Sequence, residues 1–145
     1  MNNIKLTIEI EQPVQIVWDT FHDRSLMNKW MIGFDSMQLI EGKENQVGSK
    51  YKLYFDENGK TIEMEETITA FDEPSYFANT MKTEMMETKT TMKFLPTATG
   101  TKIEVESVFE AEGMVANLMI RMGLSFIENR YKQSYHKFKE LVEEL

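Results

Sequence analysis

The chain has 145 residues, a formal net charge of -8 and no cysteine. That length suits one domain over residues 1–145, which buries roughly 70% of its unfolded surface and needs no metal or disulfide staple. A disulfide framework, a zinc ribbon and a thiol nucleophile are excluded, and the acidic balance opposes binding to nucleic acid or anionic membranes, which are polyanions.

Ile4, Leu6, Ile8 and Ile10 alternate with polar residues, the period of a half-buried strand. No charged-then-apolar leader precedes them. The most apolar stretch, Met114 to Ile127, is broken by Asn117 and Arg121 and is too short to span a bilayer. The expectation is a cytoplasmic protein with no stable membrane insertion. Pro13, with its φ pre-set, begins a helix whose stripe is Val14, Val17, Trp18 and Phe21. His22 to Ser25 interrupts it. Asp23 or Ser25 then caps a second short helix carrying Leu26 and Trp30, ending near Gly33.

From Phe34 to Glu112 the pattern is almost all strand. One strand covers about 34–42, and the next carries Tyr51, Leu53 and Phe55 on one face. Asn58-Gly59 marks a tight hairpin, because a type I′ turn needs positive φ at both central residues. Ile62, Met64, Glu66, Ile68 and Ala70 share a face of the following strand. After a turn at Asp72–Ser75, residues 76–95 hold two strands. Phe77, Asn79 and Met81 line one, Met92 and Phe94 the other, with the turn placed at Glu84–Glu87. Thr99-Gly100 makes another hairpin, and Ile103, Val105, Ser107 and Phe109 face inward on the last strand.

After Gly113 the period changes. Ile127, Tyr131, Ser134, Phe138, Leu141 and Leu145 recur at helical spacing, and Met114, Leu118, Met122 and Phe126 continue a related stripe upstream. One long helix from about 114 to 144 is predicted, with a bend or break at Gly123. The fold class is α+β: a bent antiparallel sheet of about seven strands wrapped on this helix, with two short helices after the first strand. A twisted sheet and a straight helix differ in shape, which tends to leave space between them.

Four local pieces carry a resemblance. Pro13-Val14-Gln15-Ile16-Val17-Trp18-Asp19-Thr20-Phe21 has the form P-x-x-x-V-W-x-x-F, and Asn28-Lys29-Trp30-Met31 supplies a Trp before the second strand. Val47-Gly48-Ser49-Lys50-Tyr51 opens the third strand, and Tyr135 to Glu143 ends the terminal helix. In this order they resemble the START-like (SRPBCC) helix-grip superfamily, with its birch-pollen-allergen, polyketide cyclase and chaperone-ATPase-activator branches. The resemblance implies a cavity between sheet and helix for a small hydrophobic molecule. A cyclase- or hydrolase-like enzyme and a chaperone-cofactor-like interaction module without ligand stay open as alternatives.

Candidate ligand-binding residues follow from the stripes. Met64, Met81, Met92 and Phe94 on the sheet face Met114, Leu118, Met122 and Phe126 on the helix, with Tyr51 and Leu53 beside them; Trp30, like Trp18, reads as a core anchor, with the cavity mouth as its alternative place. Methionine also serves as plain core filler, and burial alone does not separate the two roles. Glu66 is the one carboxylate on an apolar face. It is the catalytic candidate, with Tyr51 or Tyr76 as an acid–base partner. Unpaired, its charged form would be disfavoured by desolvation; paired with Lys or Arg, it would be favoured. The two histidines, His22 and His136, form no ligand spacing, so neither metal nor cofactor is expected. No nucleophile elbow, phosphate loop or dinucleotide fingerprint is present. Arg121, Arg130, Lys132, Lys137 and Lys139 make the terminal helix locally basic, which reads as a solvated face or a partner-binding one. Oligomeric state is open.

Overall fold

A computed structural model describes residues 2–145. Strand β1 (Asn2–Ile10) leads to helix α1 (Val14–His22), a 3-10 turn (Arg24–Leu26) and the short helix α2 (Met27–Trp30). Strands β2 (Phe34–Glu41), β3 (Lys50–Glu57), β4 (Lys60–Asp72), β5 (Tyr76–Lys82), β6 (Glu87–Pro96) and β7 (Thr101–Glu110) follow, and helix α3 (Met114–Glu143) closes the order. The seven strands form one antiparallel sheet in the order β1-β7-β6-β5-β4-β3-β2. This is the α+β helix-grip architecture expected from the sequence.

The turns form for local reasons. Asp23 caps the 3-10 turn, its carboxylate accepting from the Ser25 backbone N–H at 3.1 Å. Asn58 and Gly59 take φ of 55° and 83°, so Glu57 pairs with Lys60 across a tight hairpin. Between β5 and β6, Thr83 Oγ1 accepts from the Met85 and Met86 N–H groups, which sets the turn where it was expected. At Gly100 the chain passes so close to β1 that a Cβ would run into the Ile10 carbonyl.

The concave face of the sheet grips α1, α2 and the downstream half of α3. Trp18, Phe94, Phe138, Leu53 and Val142 sit at the centre of this core. Phe138 lies 5.7 Å from the Phe21 ring and 5.1 Å from Trp30. The helix is fastened to β1 at both ends. Upstream, Asn2 Nδ2 donates to the Asn117 carbonyl at 2.9 Å; downstream, Lys139 Nζ donates to the Glu9 carbonyl at 2.8 Å.

Three expectations are corrected. A register shift between Ile68 and Ala70 turns Phe71, not Ala70, onto the inner face, where it stacks at 5.1 Å from Trp18. The helix does not break at Gly123 but runs unbroken over 30 residues. The upstream stripe does not continue the downstream one. At about 100° per residue, Met122 lies roughly 160° round the helix from Phe138, and Met114, Leu118, Met122 and Phe126 are exposed. The residues aligned with Phe138 are Ile120, Leu124 and Ile127, all within about 40° of it.

Candidate functional site

Two features bear on function: a buried polar cluster on β3, β4 and β5, and a groove where the start of α3 meets the ends of β1 and β7. Glu66 anchors the first. It is 3% exposed, and Arg24 Nη1 donates to its Oε1 at 2.8 Å. Asn79 Nδ2 donates to Oε2 at 2.7 Å. A carboxylate accepts only, so this bond fixes the Asn79 amide orientation and leaves its Oδ1, buried and without a protein partner, as an acceptor. Arg24 also lies 3.8 Å over the Tyr51 ring, and its Nε donates to Asn45 Oδ1 at 3.3 Å. The Tyr51 hydroxyl accepts from the Asn45 backbone N–H at 2.9 Å. Glu66 is thus the paired case, not the lone one.

Beside this cluster the strands carry a second polar chain. Thr90 and Ser107 pair across β6 and β7 with their hydroxyls 2.7 Å apart, and the Tyr131 hydroxyl donates to Ser107 Oγ at 3.1 Å. Asn79 stands opposite Thr90 on β5, so the two chains meet along one row of the sheet. Burial pushes the Tyr131 phenol up, against the pull of its bonds to Ser107 and Thr90. Burial raises Tyr135 as well, with Tyr131 beside it adding to the effect. Both phenols therefore stay neutral donors at physiological pH.

His22 belongs to the core on the other side of the Asn79 row from the groove, against Phe71 and Phe77. Its Nδ1 is 2.9 Å from the Trp18 carbonyl, which makes that nitrogen the protonated one of the neutral ring. Its Nε2 is buried with no protein partner among Trp18, Phe71 and Phe77. Burial lowers its pKa to about 4, helped by the Arg24 charge and opposed by the Trp18 bond and Asp19. Trp30 is 2% exposed, inside the core instead of at a mouth, and its indole N–H also has no protein partner.

Under the upstream half of α3 the packing changes. Phe138 and Val142 are fully buried, whereas Ile120, Leu124 and Ile127, on the same side of the helix, stay half-buried and outside the core cluster. An apolar groove of about 720 Å³ opens at this end, where β7 meets α3. Phe109 forms its floor; Met114, Val115 and Leu118 form its wall; Asn2 and Arg121 stand on its rim.

The candidate residues therefore separate into four groups. Tyr51, Leu53, Met92 and Phe94 are core, and Met64 and Met81 pack partly buried against it. Glu66 lies among them with Arg24 and Asn79. Met114 and Leu118 line the groove, while Met122 and Phe126 point to solvent. Tyr76 lies on β5 next to inward-facing Phe77, so strand alternation turns it to the opposite face. Arg24 and Asn45 were not found from sequence, nor were Ile120 and Leu124, which carry the stripe of Ile127 and Phe138 upstream. Arg24 sits in the break between two helices, where no periodicity reports its direction. Among the described residues no three His, Asp or Glu side chains converge as a metal ligand set, and no helix is long and apolar enough to cross a membrane.

Solved structures share this fold. A conserved protein from Geobacillus kaustophilus superposes with a TM-score of 0.80 at 18% identity, covering 99% of this chain and 96% of its own. The structure of Ara h 8.0201 gives 0.79 at 17% identity, covering 99% of both chains. Protein CV1439 from Chromobacterium violaceum gives 0.77 at 18% identity, again covering 99% of both. At these identities the likeness is one of fold. No curated protein sequence matches the chain. The model of one family, described as polyketide cyclase / dehydrase and lipid transport, matches residues 1–143, and the chain belongs to that family.

Proposed function

We propose that the protein reversibly binds a small hydrophobic molecule beneath the upstream half of α3, through the groove floored by Phe109. The observation that carries this is the contrast along one helix face: Phe138 and Val142 are sealed into the core, while Ile120, Leu124 and Ile127 are not. Leaving apolar side chains half wet costs roughly 25 cal/mol per Å², a cost that a bound apolar molecule would remove. The family description, with its cyclases, dehydrases and lipid transport, supports the same class of ligand. In this reading the chain is one domain, works in the cytoplasm, and uses Asn79 Oδ1 as the polar contact for a donor group on the ligand.

The Glu66 geometry argues against acid–base catalysis as the primary role. Each of its oxygens is already bonded, one to Arg24 and one to Asn79. A substrate would have to share or displace one of these bonds to reach the carboxylate. Native mass spectrometry of freshly purified protein tests the reading. A bound apolar species, or stoichiometric uptake of decanol, decanoic acid or a flavonoid, is expected. Protein that carries nothing and takes up none of these would overturn it.

A further inference from the structure

Six large apolar side chains lie exposed on one arc of α3: Met114 (90%), Val115, Leu118, Met119, Met122 (78%) and Phe126. By helix geometry they span roughly 140° of the surface, centred away from Phe138, with Met114, Val115 and Leu118 at the edge that also walls the groove over Phe109. At on the order of 100 Å² apiece they offer about 600 Å², the upper end of what monomers leave free. With polar flanks added, such a face approaches the ~800 Å² per partner of a standard interface.

The charges around the patch say what fits it. Glu110 and Glu112 precede it and Lys132 and Lys137 follow it, while Arg121 and Glu128 lie along it. Glu112 and Lys137 have no ion-pair partner among the described residues, and Lys132 reaches only exposed Glu128 at 3.8 Å. An anionic bilayer would meet the acidic end and a net charge of -8. A second copy carries the same net charge, but laid antiparallel it sets the acidic end of each helix against the basic end of the other, so the local contacts are attractive. A parallel pair would set like charges together. Pairing about Met122 puts residue 118 opposite 126 and residue 112 opposite 132, which joins Leu118 to Phe126 and Glu112 to Lys132 twice.

We propose that the protein forms a two-fold homodimer through the upstream half of α3, with Met122 at the axis. The interface is isologous and closes at two copies. It goes beyond ligand binding and does not require it, although the dimer would cover the outer wall of the groove at Met114, Val115 and Leu118.

The absence of cysteine permits a direct test. Met122→Cys places a thiol at the axis and Met85→Cys, 74% exposed in the β5–β6 turn, serves as the control. Both positions are exposed, so neither change threatens folding. Under mild oxidation Met122→Cys should form a disulfide-linked dimer at least about ten-fold faster than the control. Sedimentation equilibrium of the unmodified protein should show a dimer at or below about 100 μM. Lys132→Glu should weaken it by about ten-fold, and the double reversal Glu112→Lys with Lys132→Glu should restore it. Cross-linking no faster than the control, or a monomer throughout, overturns the proposal. So does a monomer that co-floats with phosphatidylcholine vesicles, since the face would then fit lipid.

Discussion

Arg24 and Glu66 form a buried ion pair at 2.8 Å, joining the turn after α1 to the inner face of β4. Their side chains are 12% and 4% exposed, so water screens them little. Removing one member strands the other. Glu66→Gln should therefore cost about 3 kcal/mol at pH 7, from the loss typical of broken buried pairs. Replacing both, with Arg24→Met and Glu66→Leu, should recover part of that loss. Urea denaturation of the three variants checks this; a Gln variant as stable as the parent would show that the pair contributes nothing.

His22 makes the protein acid-labile. Its pKa falls from 6.5 unfolded to about 4 folded, chiefly through burial. Between these values the unfolded state binds the extra proton, so stability rises with pH across the window and is lost as pH falls through it. The loss is on the order of 3 kcal/mol from this group alone. Carboxylates titrate mostly below that range, so the slope between pH 6.5 and 5 belongs largely to His22. His22→Leu should flatten it, as denaturant midpoints over that interval would show.

Two phenylalanines on α3 should behave oppositely. Phe138 is fully buried against Phe21 and Trp30, and Phe138→Ala should cost about 3–5 kcal/mol. Phe126 is 66% exposed, and Phe126→Ala should change monomer stability by under about 0.5 kcal/mol. Thermal melts at low protein concentration would separate them, and equal losses would contradict the helix orientation described here.

Gly100 should tolerate no side chain. A Cβ there meets the Ile10 carbonyl, which is backbone and cannot swing aside. Gly100→Ala should cost at least about 1–3 kcal/mol, the usual toll of overpacking. A melt within a degree of the parent would show that the β6–β7 turn yields easily.

Most of the fold was legible because strands and turns carry local signals. Alternation in Ile103 to Phe109 and the Asn58-Gly59 pair depend on immediate neighbours alone. Ala70 failed because a register shift near Ile68 has no composition signal. The upstream helix failed for a deeper reason. Met114, Leu118, Met122 and Phe126 are apolar at helical spacing, which normally means core, and here that stripe faces water. Glu66 stood out as a carboxylate on an apolar face. Its partners did not, since Arg24 lies 42 residues away and the contact exists only after folding.

Ligand binding beneath the upstream half of α3 is read by a fluorescence titration with N-phenyl-1-naphthylamine. Wild type, Leu124→Glu and Met122→Glu are compared. Leu124 faces the sheet outside the core cluster, so the substitution places a charge in the proposed site without opening the core; Met122 faces solvent. Saturable one-to-one binding is expected for wild type and Met122→Glu, with Leu124→Glu weaker by at least about ten-fold, the cost of meeting a charge in an apolar site. Absence of binding to wild type, or equal binding to Leu124→Glu, would contradict the account.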